Sequence, residues 1–441
     1  MQAGLRMTLE TLKVAAFRLA PAVFAAGLAH LAFQIVKHWD VVTLDFRFFW
    51  LAGEFWTSGL SPYDEAYAAQ ADAQFGVTQG GIWYYAPNWL PLAAVMSIPD
   101  ALTASRIWLM TNAGMLLGGC AFSVAAYRKM SIASPVFCAG SRIGRLLTAL
   151  PDRTLYFLLA GAAALAQASA NTLHLGQCSI LVFFGASMLI YAAAASRLFL
   201  AAAALALVML KPQIGILICA GLAFTPFGRR TVALAAVISI LAAAPVFAFT
   251  PMPDFAADFA GGVAQYTDQP YNTPPAVTGL RHLAWTAGAA DMGSAFYLLL
   301  ALALVVTAGI HASTGRITFQ TTDFIAAAIA IAAMASPLHV YDLTLLAPIA
   351  LYAFALPAPA AAVSLASFAV ILRAGNLPYP AGLLRDGITY YPGSLHASLA
   401  AIAIAAAVIW SAAEARRGAL TPIAVAPPAQ AGRAGRVISP A

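Results

Sequence analysis

The chain has 441 residues, of which 62% are hydrophobic and only 9% are charged, and its mean hydropathy is +0.81. Water-soluble chains carry about a quarter charged residues, so this composition excludes a soluble globular protein, a disordered protein and a nucleic-acid binder. The net charge of +6 is instead attributed to basic loops on the cytoplasmic side of a membrane. Continuous apolar runs, such as 201–210, argue against the short alternating segments of a transmembrane β-barrel.

The apolar runs predict an all-α protein, a polytopic transmembrane helical bundle. One helical crossing of a bilayer needs about 20 apolar residues, and the runs allow about twelve crossings. The stretch 19–36 follows a basic start and is longer than a signal-peptide core, so we expect an uncleaved first span. The predicted spans are 12–36, 101–127, 154–170, 178–195, 198–210, 212–226, 231–250, 293–312, 322–337, 342–356, 358–374 and 395–413.

Lysine and arginine set the orientation of these spans. Most of them fall in loops on one side, including five between 128 and 153, so the positive-inside rule places both termini in the cytoplasm, beneath the cell membrane. The acidic residues gather mainly on the other side, where we expect an active site that faces the periplasm. We predict a transmembrane domain over 1–417, with a first outer loop at 38–100, and a disordered cytoplasmic tail over 418–441.

The first outer loop is dense in aromatic residues, which favour a membrane interface. Its segment 46–56 predicts a short interfacial helix, whereas 88–98 is apolar but too short to cross a bilayer. Asp45 directly precedes the predicted helix. Its carboxylate suits either a general base that removes a proton from an acceptor hydroxyl or an N-cap of that helix.

Polar breaks between the predicted spans supply further candidates, each with two interpretations. The loop with Asn171, His174 and Gln177 suits either sugar hydroxyls or helix ends. Lys211, at a proline break, suits either a phosphate or a snorkelling position at a helix end. His339 suits either a leaving phosphate or an interhelical hydrogen bond.

Arg281 is another phosphate candidate, because a planar guanidinium matches phosphate geometry. The sequence contains no nucleotide-binding, zinc-protease or serine-hydrolase motif, and we expect no metal and no cofactor. The cysteines lack metal-ligand spacing, so neither a zinc site nor a disulfide framework is expected. They are Cys120, Cys138, Cys178 and Cys219.

Several short motifs occur in an order that resembles glycosyltransferase family 87, the membrane mannosyltransferases that use a polyprenol-phosphate-mannose donor. The first outer loop carries Asp-Phe-x-x-x-Trp-x-Ala-Gly at 45–53, Gly-Leu-Ser-Pro-Tyr at 59–63, Tyr-Ala-Pro at 85–87 and Leu-Pro-Leu at 90–92. Gly-Gln-x-Ser at 176–179, Lys-Pro at 211–212 and Ser-Pro-x-His at 336–339 follow. The chain departs from the family pattern at Ala86, at Ser179, and at Tyr341-Asp342, where Trp and His are frequent in the family.

The resemblance implies a GT-C fold whose active site opens to the periplasm. It implies transfer of a hexose, with mannose expected, from a polyprenyl-phosphate donor to a lipid or glycan acceptor, with inversion at the anomeric carbon. The family's catalytic residues correspond to Asp45 and His339. The residues expected to bind substrate are Arg47, Tyr63, Tyr85, Asn171, His174, Gln177, Lys211 and Arg281.

Two other functions stay open on the sequence. A transporter or flippase of a lipid-linked or small polar substrate uses discontinuous helices, and the break at Lys211 is of that kind. Against it, the sequence shows no internal repeat, and its polar residues gather at one face. An oligosaccharide ligase is expected to centre on a large late outer loop, whereas here the first outer loop is the richer one.

Overall fold

The computed structural model describes residues 2–76, 83–133, 141–249, 255–317, 319–378 and 394–420, and their side chains except at 2–8, 132, 133, 249 and 414–420. Helix makes up 81% of the structure, and the described residues include no strand. The prediction of an all-α protein is therefore confirmed.

The helices follow one another with short connections. In chain order they are α1 (Gln2–Lys37), α2 (Phe46–Thr57), α3 (Glu65–Phe75), α4 (Leu90–Met96), α5 (Ala101–Ala133), α6 (Arg142–Ala149), α7 (Asp152–Leu165), α8 (Gln167–Leu175), α9 (Ser179–Ala194), α10 (Leu198–Val208), α11 (Pro212–Leu222), α12 (Pro226–Phe249), α13 (Phe255–Thr267), α14 (Leu280–Thr286), α15 (Gly293–Ser313), α16 (Thr321–Ala335), α17 (Ala347–Ala355), α18 (Ala358–Leu372) and α19 (Ser394–Leu420). Short 3₁₀ segments lie at Pro87–Trp89, Pro270–Asn272, Val340–Leu346 and Ala374–Asn376.

Five of these helices are long and apolar enough to cross a membrane, namely α1, α5, α12, α15 and α19. Their number and composition indicate a multi-pass membrane protein. Each of the twelve predicted spans overlaps helical structure. The span predicted at 154–170 is two helices, α7 and α8, and the one at 342–356 begins in the 3₁₀ segment Val340–Leu346 and continues as α17. The total of twelve crossings stays a prediction, because the other helices are shorter than a bilayer requires.

The first outer loop folds largely as its sequence indicates. The predicted interfacial helix is α2, and the segment 88–98 forms the 3₁₀ turn Pro87–Trp89 followed by α4. At the other end of the chain, α19 continues to Leu420, past the start of the predicted tail at 418. Residues 421–441 lie outside the described part.

Glycines allow close contacts between helices at two points that position the site. A Cβ on Gly53 would stand 2.1 Å from the Ala93 carbonyl oxygen, so α2 and α4 pack backbone to backbone. A Cβ on Gly27 would stand 2.7 Å from the backbone of Gly161, which brings α1 against α7. The core lies around α16, which is buried continuously from Phe324 to Ala333.

Two short helices meet at Lys211 inside this bundle. α10 and α11 have 11 residues each, which corresponds to about 16 Å per helix. That is about half the thickness of a bilayer's hydrocarbon core. The chain breaks at Lys211 between them, and Lys211 is 4% exposed, so this non-helical backbone lies inside the protein.

Candidate functional site

Asp45 occupies the N-cap position of α2, but its side chain makes no capping hydrogen bond. Its Oδ2 instead accepts a hydrogen bond of 2.6 Å from Nε2 of Gln177. Its backbone N–H donates to the Leu175 carbonyl oxygen at 2.6 Å. The capping interpretation is therefore wrong for the side chain, which is held by the loop between α8 and α9.

The environment of Asp45 raises the pKa of its carboxyl group, chiefly because burial removes water from it. The hydrogen bond from Gln177 and the nearby basic groups of His339, Lys211 and Arg47 each lower that pKa, but burial outweighs them. The residue as a whole is nevertheless partly exposed. A carboxyl group with a raised pKa suits a role in proton transfer.

Tyrosines of the first outer loop line this centre. The Tyr85 hydroxyl donates to Oε1 of Gln177 at 3.4 Å, and the Tyr84 hydroxyl donates to that of Tyr85 at 3.0 Å. Tyr63 donates to the Tyr85 carbonyl oxygen at 2.5 Å. Of the predicted residues, Tyr85 thus holds Gln177 in place, and Tyr63 holds Tyr85. Burial raises the pKa of Tyr84 and Tyr85 far above the ordinary value, so both stay neutral hydrogen-bonding groups.

A fourth tyrosine, Tyr266 at the end of α13, packs against this group. Its ring stacks on Tyr84 with the ring centroids 3.4 Å apart. Tyr63 also contacts Phe255 and Phe259 of the same helix. The segment 255–267 therefore packs directly on the first outer loop. Neither Tyr84 nor Tyr266 was predicted as a site residue.

Lys211 forms a buried ion pair with Asp342. Ser179 joins both groups, because its hydroxyl accepts from Nζ of Lys211 at 2.9 Å and donates to Oδ1 of Asp342 at 2.7 Å. Lys211 is 4% exposed and Asp342 3%. The snorkelling interpretation of Lys211 is therefore wrong. The sequence predicted a role for Lys211 but not for Asp342.

His339 is also tied to Asp342, whose Oδ2 accepts from the His339 backbone N–H at 3.1 Å. Nε2 of the ring lies 2.9 Å from the Tyr271 carbonyl oxygen, which only accepts, so Nε2 carries the proton. Nδ1 lies 3.1 Å from the Tyr341 hydroxyl and accepts from it when the ring is neutral. Both ring nitrogens therefore already have partners, and a leaving phosphate would have to displace one of them.

Arg281 forms an ion pair with Asp291. Its Nε and Nη2 donate to the two carboxylate oxygens of Asp291 at 2.8 and 2.5 Å. Its Nη1 donates to the Asn272 carbonyl oxygen at 3.0 Å and to Ser294 at 2.5 Å. These hydrogen bonds lower the pKa of Asp291. Because Arg281 is 3% exposed, its geometry favours a structural role over the predicted phosphate contact.

The remaining predicted residues separate into two places. The exposed His174 packs its ring 4.9 Å from that of His38, and half-buried Asn171 precedes it on α8. Neither has a described contact with Asp45 or Lys211. Arg47, by contrast, lies beside Asp45, where its Nε donates to the Leu44 carbonyl at 3.0 Å.

A cavity of about 640 Å³ opens at the far end of α2, about three helical turns from Asp45. It includes none of the predicted site residues. Its lining is mainly apolar and consists of Trp56, Thr57, Ser58, Gly59, Leu90, Pro91, Ala94, Pro245 and Val246.

The main side chains of the candidate site thus come from three connections between helices. The break before α2 carries Asp45, the break before α9 carries Gln177, and the 3₁₀ segment after α16 carries Asp342. The chain matches no protein-family model, and no curated protein matches it. The geometry of these breaks is therefore what the functional argument rests on.

Proposed function

We propose that the chain is an integral-membrane hexosyltransferase of the GT-C type, similar to glycosyltransferase family 87. It transfers a hexose, with mannose expected, from a polyprenyl-phosphate donor to a lipid or glycan acceptor, and it inverts the anomeric carbon. One observation carries this proposal. Asp45, a partly exposed residue, has a carboxyl group whose pKa is raised, which is oriented by Gln177 and which lies among three basic groups.

The proposed reaction needs opposite charges on the two sides of the anomeric carbon. Asp45 accepts the proton of the acceptor hydroxyl while the acceptor oxygen forms its bond to that carbon. The bond from the carbon to the phosphate oxygen breaks, and the phosphate leaves with the electron pair. Basic groups stabilise the negative charge that develops there. A single base and direct displacement give an inverted product.

The short helices support a lipid-linked donor. A site between apolar helices as short as α10 and α11 suits a phosphate presented by a membrane lipid better than a soluble nucleotide sugar. The proposed topology has twelve crossings, both termini in the cytoplasm and the site on the periplasmic side of the cell membrane.

Reporter fusions test this topology. A reporter after Arg145 or Arg230 should read cytoplasmic, and one near Gln269 or Gln79 should read periplasmic; Gln79 itself lies outside the described residues. A cytoplasmic signal at Gln79 would place Asp45 on the wrong side for the proposed donor.

Purified protein in lipid nanodiscs tests the reaction. It should transfer hexose from a polyprenyl-phosphate hexose and leave GDP- and UDP-hexoses unused. Mass analysis of membrane lipids from a deletion strain should show one glycolipid with one hexose fewer, which names both sugar and acceptor. Turnover with a nucleotide sugar alone would overturn the proposal.

A transporter or flippase is the second candidate. It is favoured by the buried ion pair of Lys211 and Asp342 at a helix break, since transporters place charged groups at discontinuous helices. A flippase moves the lipid-linked sugar intact, whereas a transferase breaks its glycosidic bond. Release of free polyprenyl phosphate, measured in the same nanodiscs, separates the two functions.

A further inference from the structure

Three basic groups lie close enough to Asp45 to affect its carboxyl, namely His339, Lys211 and Arg47. A lipid-phosphate donor brings negative charge to this centre, and some group must neutralise it. Lys211 is paired with Asp342, and both ring nitrogens of His339 have partners. Arg47 is the group of the three for which the described residues provide no carboxylate within ion-pair distance.

Arg47 is held in place by neutral groups alone. Its Nε donates to the Leu44 carbonyl at 3.0 Å and its Nη1 to the Phe75 carbonyl at 3.2 Å. Its guanidinium lies 5.6 Å from the centre of the Phe75 ring. These contacts orient the guanidinium without cancelling its charge, and no described hydrogen bond uses Nη2. A half-buried arginine in this state is prepared to bind an anion.

We propose that Arg47 binds the phosphate of the lipid-linked donor and stays bound to that phosphate as it leaves. This inference rests on the proposed function and reassigns phosphate binding from Lys211 and Arg281, whose charges are matched by Asp342 and Asp291. In the transfer step the phosphate oxygen takes the electron pair of the broken bond, and Arg47 donates hydrogen bonds to the resulting anion. Asp45 takes the acceptor proton.

Other basic residues on the same side of the protein fit this role less well. Arg106 is paired with Asp40 at 2.9 Å. Lys37 lies close to His38, and Arg373 lies close to His30. Neither is among the charges that affect the carboxyl of Asp45. Among the described basic residues, the place beside Asp45 and the missing carboxylate together select Arg47.

Arg106 provides a closely matched control. Its Nε donates to the Trp39 carbonyl at 2.9 Å, and its guanidinium lies 5.3 Å from the Trp39 ring, much as Arg47 contacts Leu44 and Phe75. The difference is that Asp40 neutralises Arg106.

The experiment measures binding of polyprenyl phosphate, without sugar, to the full-length protein in nanodiscs. Arg47→Gln should weaken binding about 10- to 100-fold, the range expected for a charge-assisted hydrogen bond. Arg106→Gln should bind as wild type does. Arg47→Lys keeps the charge but loses the planar fork, so we expect an intermediate loss. The uncharged polyprenol should bind all four proteins equally.

An equal loss of polyprenol binding in Arg47→Gln would show a general structural defect and overturn the inference. Unchanged phosphate binding would overturn it too. If Arg47→Gln does not fold, the comparison of Arg47→Lys with wild type decides, and equal affinity there counts against the inference. Failure of the proposed function looks different: phosphate binding would depend on Arg47 while no hexose transfer occurs.

Discussion

Nε2 of Gln177 donates a hydrogen bond of 2.6 Å to Oδ2 of Asp45, across 132 residues of chain. The bond orients the carboxylate and stabilises its charged form, so it lowers a pKa that burial raises. Gln177 is 3% exposed and is itself bonded by the Tyr85 hydroxyl. The orientation and the pKa of the Asp45 carboxyl group thus depend on a residue in another part of the sequence.

Gln177→Ala tests this dependence through the pH profile of transfer. A base acts when it is deprotonated, so kcat/KM should rise with pH through the raised pKa of Asp45. Without the amide donor that pKa rises further, and the profile should move to higher pH. The loss of activity should therefore be largest at low pH. A loss of equal size at every pH would show that Gln177 acts only through packing.

Asp45→Asn removes the base and keeps the size of the side chain. Transfer should fall by roughly two to four orders of magnitude. Because the folded-state pKa of Asp45 lies above its ordinary value, the wild type loses stability as pH rises from the ordinary pKa through the raised one. The Asn variant avoids that cost. Its unfolding temperature in detergent should equal or exceed that of wild type, with a gap that grows with pH.

Asp64 is the matched control, because it is a true cap. Its Oδ1 accepts from the backbone N–H groups of Ala66 and Tyr67 at 3.0 and 3.3 Å, at the start of α3. Asp64→Ala should cost about 1 kcal/mol of stability, and Asp64→Asn little, with transfer nearly unchanged in both. More than about a tenth of wild-type activity in Asp45→Asn would exclude Asp45 as the general base.

The buried pair of Lys211 and Asp342 should behave as a unit. Removing either charge alone leaves the other buried without a partner, which costs about 3–5 kcal/mol. Lys211→Met and Asp342→Asn should therefore each lower the unfolding temperature strongly. The double variant should recover much of the loss, since it buries no charge. A double variant as unstable as the sum of the single changes would mean that the two residues do not interact.

The helix that follows Asp45 could be predicted from the sequence, because it depends on local order. Asp45 precedes a dense aromatic segment, and the structure has α2 there. Gln177 was predicted for the site from a short polar loop, and the structure brings it to Asp45. No local pattern predicts the hydrogen bond between Gln177 and Asp45, because the two residues lie in loops that are far apart in the sequence.

The sequence analysis did not predict the carboxylates that pair with Lys211 and Arg281. Asp342 lies 131 residues from Lys211, and no spacing rule connects a lysine to a carboxylate so far away. Asp291 is only ten residues beyond Arg281. An acid so close in the sequence and on the same side could have indicated the ion pair. The predicted spans 198–210 and 212–226 agree closely with α10 and α11, which have 11 residues each. Apolar composition alone does not tell whether helices of that length cross a bilayer, since a crossing needs about 20 residues.

The packing of α2 on α4 gives the last prediction. A Cβ on Gly53 would stand 2.1 Å from the Ala93 carbonyl oxygen and 2.8 Å from Oγ of Ser97. Since the first contact is with backbone, Gly53→Ala must push the two helices apart. Overpacking of this kind costs about 1–3 kcal/mol. Because α2 begins directly after Asp45, the displacement should also lengthen the bond to Gln177 and reduce transfer.

Gly114, in the middle of α5, is the matched control for this change. An added Cβ there meets nothing within 4 Å, and alanine is favoured over glycine in a helix by up to about 1 kcal/mol. Gly114→Ala should therefore leave transfer unchanged and keep or raise the unfolding temperature. Both variants are compared in detergent by thermal unfolding and in nanodiscs by hexose transfer. If Gly53→Ala matched Gly114→Ala in both measurements, α2 would not be fixed by its contact with α4. The position of Asp45 would then have to depend on its bonds to Gln177 and Leu175.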